Sequence, residues 1–110
     1  MNAQHRELAA GRWRQLSFVE QMANIGSEVE RFLNWRAKNQ PEYSSKALDR
    51  ALELIDLTLD ANWQKARLRE VARVREILVD FSGVTPLFKS SEDSWRKYFL
   101  AFAHAARRNR

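Results

Sequence analysis

Cysteine is absent from the 110 residues, which excludes disulfides and thiolate metal sites and leaves the redox compartment open. Glycine occurs three times and proline twice. With so few backbone breakers, and Ala, Leu, Arg and Glu abundant, the propensities read as helix nearly throughout. No apolar run approaches the roughly 20 residues that cross a bilayer, and residues 1–14 lack the apolar centre of a secretory signal. A cytoplasmic protein with no membrane partner is the expectation. Histidine is scarce too, only His5 and His104, and neither stands at a recognisable spacing from a Ser nucleophile. There is no Gly-rich phosphate loop, no zinc pattern, and no inward pair of Glu-x-x-His motifs of the kind that hold two metals in a helical bundle. The residues therefore predict no enzyme, no cofactor and no metal.

What is present is amphipathic helix and positive charge. Nineteen Lys and Arg stand against fourteen Asp and Glu, a net +5, which favours a polyanionic partner without requiring one. The length suits one domain with one modest core. Residues 1–16 read as a basic N-terminal arm, with Gly11 breaking any helix that Gln4 to Ala10 starts and Trp13 and Leu16 fastening its end. Residues 17–110 read as four helices. Ser17 and Glu20 form a capping box that opens the first, whose inward stripe is Phe18, Met22, Ile25, Val29, Phe32 and Leu33. Gly26 beside that stripe invites close approach by another helix. Asn39-Gln40-Pro41 ends it, since the residue before Pro is pushed out of the α region.

The stretch 44–83 is expected to organise the rest, as two amphipathic runs joined by a tight turn at Asp60-Ala61-Asn62. The first buries Leu48, Ala51, Leu52, Ile55 and Leu59, and the second Leu68, Val71, Val74, Leu78 and Phe81. Gly83 is expected to close the second run in a left-handed conformation. The last helix, capped by Ser90 or Ser91, turns Trp95, Tyr98, Phe99 and Phe102 inward. Short connections make successive helices antiparallel, so the fold class is all-α, an up-down-up-down four-helix bundle.

Two surfaces follow from what these stripes leave over. Arg6, Arg12 and Arg14 of the arm, with Lys97, His104, Arg107, Arg108 and Arg110 of the last helix, form a candidate nucleic-acid surface. Trp35 lies off its helix's stripe, covered by the arm or by another subunit. Leu54 and Leu57 widen the apolar sector of the second helix beyond one neighbour's reach. Arg67 and Arg75 either lay their stems on apolar surface and reach Glu28 or Glu30, or sit in a subunit interface, where Arg is enriched. Trp35, Leu54, Leu57, Arg67 and Arg75 are the expected homo-oligomer contacts. The acidic stripe Asp49, Glu53, Asp56 and Asp60 is expected to pair with Lys65, Arg69 and Arg73.

In length, charge and patterning, residues 17–108 resemble the four-helix accessory proteins of bacterial retroelements, the accessory variability determinant of diversity-generating retroelements. The blocks Asn24-Ile25-Gly26-Ser27-Glu28-Val29-Glu30 and Ala51-Leu52-Glu53-Leu54-Ile55-Asp56-Leu57 are also similar to those of small bacterial helical proteins, which implies no function. The retroelement resemblance implies a ring-like pentamer of bundles that binds nucleic acid and associates with a reverse transcriptase. A nuclease of the HEPN type needs an Arg and a His close together on a late helix, whereas Arg96 and His104 fall on different faces. The expected function is thus a non-enzymatic accessory protein that homo-oligomerises and binds RNA or DNA, together with a protein partner. The alternative is a protein-only adaptor with incidental positive charge.

Overall fold

A computed structural model describes residues 10–61 and 63–108. The described residues are helical with no strand, and a helical stretch over 10–14 precedes four long helices. These are α1 (Phe18–Ala37), α2 (Pro41–Leu59), α3 (Lys65–Phe81) and α4 (Glu92–Arg108). Gly11 lies inside the 10–14 stretch, and all but Ala10 of the run from Gln4 to Ala10 that it is expected to break lies outside the described residues.

The end signals act mostly as the local chemistry dictates. Ser17 Oγ accepts the Glu20 N–H and Glu20 accepts the Ser17 N–H, which completes the capping box of α1. At the other end Asn39 takes φ 57°. Its N–H donates to the Arg36 carbonyl and the Gln40 N–H to the Trp35 carbonyl, the pair of bonds of a Schellman ending with Asn in the left-handed place. Pro41 then opens α2 in a position that needs no N–H. Gly83, by contrast, has no positive φ. Its N–H simply reaches the Asp80 carbonyl, so the expected left-handed closure of α3 is absent. Ser91 caps α4 through a reciprocal pair in which the Ser91 and Ser94 N–H groups each donate to the other's hydroxyl.

The hub is α1 rather than the 44–83 hairpin. It packs extensively on both α2 and α4, while α2 packs more lightly on α3. All six residues of its predicted stripe are buried, and Gln21 and Gly26 are buried beside them. A Cβ on Gly26 would fall 2.8 Å from the Phe99 Cβ, so glycine lets α4 lie directly against α1, as its position in the sequence suggests. The Ser44 hydroxyl donates to the Phe32 carbonyl and ties the start of α2 to α1. Val71, Val74, Leu78 and Phe81 of α3 and Trp95 and Phe99 of α4 complete the core. Rings link these helices edge to face, Phe18 to Phe102 and Phe32 to Phe81 among them. No helix among the described residues is long and apolar enough to cross a membrane.

Candidate nucleic-acid interface

Basic side chains converge at the N-terminal end of α1, and buried polar contacts are what bring them there. Trp13 is buried and its indole N–H donates to the Thr58 hydroxyl at 2.9 Å. Its carbonyl accepts from the fully buried Gln21 amide, also at 2.9 Å. The Gln21 carbonyl oxygen in turn accepts from the Trp63 indole, and Thr58 donates on to the Leu54 carbonyl. The 10–14 stretch, α1, the end of α2 and the entry to α3 are thereby joined by a chain of satisfied donors and acceptors. Removing one member leaves a buried partner unpaired, at about 1–3 kcal/mol.

Arg12 and Arg14 flank the anchored Trp13 and are exposed. Arg67 lays its guanidinium over Phe18 and Trp63, at 4.8 and 5.4 Å from the ring centroids. Such stacking holds the cation in place while leaving its outer N–H groups to solvent. Phe102 packs on Phe18, so the last turn of α4, with exposed Arg107 and Arg108, leaves the molecule at this same end. Glu20 and Asp60 are the acids nearby, the first in its capping box and the second at the cap of α2.

The other predicted basic residues are distributed differently. His104 is exposed on α4. Lys97 sits beside Arg96 toward the opposite half of α4 and does not join the cluster. Arg6 and Arg110 lie outside the described residues. Arg96 is spent on structure: it donates to both Glu30 carboxylate oxygens, to Glu92 and to Asn34. Its pKa is raised above the ordinary arginine value chiefly by the Glu30 hydrogen bond. Among the described residues no cluster of three or more His, Asp or Glu is arranged to hold a metal.

The expected oligomer contacts have partners within the chain. Trp35 is half-buried and stacks on Tyr43, centroids 4.7 Å apart. Leu54 and Leu57 are partly buried against the core. Arg75 pairs with Asp56 at 2.8 Å, and Glu28 and Glu30 take Arg31, Arg50 and Arg96 instead. Asp56 is the one member of the acidic stripe with an ion pair among the described residues, and its cation is Arg75 rather than Lys65, Arg69 or Arg73. Gln21 and Tyr43 are not among the expected site residues, and Arg96 enters the sequence reading only as half of a rejected nuclease pair. Gln21 alone could have been found, as a polar residue on an otherwise apolar face. No family model, curated protein or solved structure matches the chain.

Proposed function

We propose that this chain is a non-enzymatic accessory protein that binds RNA or DNA through the basic end and self-associates, acting beside a protein partner such as a reverse transcriptase. The observation that carries the reading is the convergence of Arg12, Arg14, Arg67, Arg107 and Arg108 on one end, from three segments at least forty residues apart in the sequence. A phosphate backbone is matched by several fixed cations on one surface, because each neutralised phosphate releases a counterion. The up-down-up-down four-helix bundle is part of the same reading. It is supported by contacts that step down α4 as they step up α1: Phe18 with Phe102, Gly26 with Phe99, Glu30 with Arg96.

A labelled single-stranded RNA titrated at several salt concentrations tests it. About four phosphate contacts give a slope near −3 in log affinity against log salt. Replacing Arg12, Arg14, Arg107 and Arg108 by Gln together should flatten that slope. No binding at low salt overturns the reading in favour of a protein-only adaptor. For self-association, Tyr43, Val84, Leu87 and Leu100 supply exposed apolar surface beyond the core. Sedimentation should show an oligomer at high micromolar concentration in low salt, and a protein that stays monomeric there removes this half of the proposal.

A further inference from the structure

An open cleft of about 720 Å³ runs along α3 from Ala66 and Arg69 and is bounded by Phe88, Lys89 and Ser90 of the loop 82–91 and by the first turns of α4, within the size range of small-molecule sites. Its cations are Arg69, Arg73 and Lys89. None of the three has an ion pair among the described residues, whereas Arg31, Arg50, Arg75 and Arg96 all have carboxylates within 4.0 Å. The one acid in the lining, Glu70, accepts the Tyr98 hydroxyl. Three cations and one carboxylate leave a local charge of two positive.

Two residues of the lining, Ser90 and Trp95, each carry a buried polar atom with no hydrogen-bond partner, the Ser90 hydroxyl and the Trp95 indole N–H. Trp95 is 5% exposed. Among the described residues the Trp13 and Trp63 indoles and the Gln21 amide are satisfied, so two unpartnered atoms in residues that line one cleft mark a place where partners come from outside the chain. The walls are fixed in advance. The Asp80 carboxylate accepts the Leu87 and Phe88 N–H groups at 2.7 and 3.0 Å, and the Ser91–Ser94 pair holds the start of α4. Phe88 lies under the Arg73 guanidinium, and Tyr98 and Trp95 add aromatic surface.

We propose that this cleft binds a small phosphate monoester carrying an aromatic body. A phosphate dianion matches the two uncompensated positive charges and presents several acceptors to Arg, Lys and Ser groups. A planar ring matches the aromatic lining, and an acceptor on it or on the phosphate satisfies the Trp95 N–H, which can only donate. The cleft adjoins the basic end at Ala66, but its cations are different ones and the proposal does not rest on that end.

The test is titration of the full chain with adenosine monophosphate, adenosine and inorganic phosphate, followed by calorimetry and by the indole N–H resonances in NMR. The monophosphate is expected to bind at least tenfold more tightly than either fragment and to shift the Trp95 indole resonance. Arg69→Gln with Arg73→Gln should weaken it about tenfold or more with an unchanged melting temperature, since both side chains are exposed. Lys89→Gln gives the same reading from the loop side if the double variant melts early. Arg107→Gln with Arg108→Gln should change nothing. Equal affinity for phosphate and monophosphate, an unmoved Trp95 resonance at saturation, or full binding by the Arg69 and Arg73 variant would each overturn the proposal.

Discussion

Trp13 and Trp95 are buried to nearly the same degree, 8% and 5% exposed, yet their indole N–H groups have opposite fates. At the N-terminal end of α1 the Trp13 N–H meets Thr58, and the Gln21 amide closes the circuit to Trp63. At the far end the Trp95 N–H meets nothing, beside an equally unpartnered Ser90 hydroxyl. The first end is a self-sufficient structural joint. The second gives up stability, since an unsatisfied buried donor costs about 1–3 kcal/mol, and groups retained at such a cost are the ones to examine for binding.

Phe99, which sits between the two ends on Gly26, sets the scale against which they are measured. Phe99→Ala should cost about 3–5 kcal/mol in chemical denaturation, and a loss under about 1 kcal/mol would mean that α4 does not seat on α1. The tryptophans supply the sharper contrast. Trp13→Phe and Trp95→Phe remove similar ring volume, but only the first breaks a hydrogen bond. Trp13→Phe should therefore be the more destabilising by about 1 kcal/mol, and equal losses would erase the distinction between the ends.

The smallest effect concerns Tyr98, which packs on Phe99 and Phe102. Burial first, then the hydrogen bond to Glu70 and its charge, raise its pKa well above the ordinary tyrosine value. The folded state thus holds the proton more tightly than the unfolded chain. Its contribution is fully present below the unfolded pKa of about 10 and is lost as pH rises above it, where the unfolded chain ionises first. Tyr98→Phe should be about 1 kcal/mol less stable at neutral pH. That deficit should shrink, and then reverse, as denaturation is repeated at increasing pH above about 10. A deficit independent of pH would show that Tyr98 ionises freely in the fold.

Much of the fold was legible because it is periodic. The stripes of α1, α3 and α4 are set by residues three and four apart, and every residue of the α1 stripe is buried. The Ser17 cap and the close approach at Gly26 were legible for the same reason, being matters of one turn or of one missing Cβ. Gly83 shows where composition misleads: a glycine after a helix permits the left-handed conformation, but at the α1 end it is Asn39 that adopts it. The basic end was legible only as a list of arginines. Its dispersed members meet because Trp13 reaches Thr58 and Phe18 reaches Phe102. The sequence leaves Arg67 either laying its stem on apolar surface and reaching a carboxylate, or sitting in a subunit interface; within the chain its guanidinium covers two rings, a choice between partners that helical phase does not make.

By itself, then, the sequence determined which segments are helical, which face of each is buried, and that the chain carries excess positive charge, since these depend on neighbours within a turn or on a sum. Only the tertiary structure decided that α1 is the hub, that the arginines share an end, and that one tryptophan is satisfied while another is not. Partners such as Trp13 and Thr58, 45 residues apart, are chosen by how helices pack. No local spacing records whether a buried donor will find an acceptor across the core.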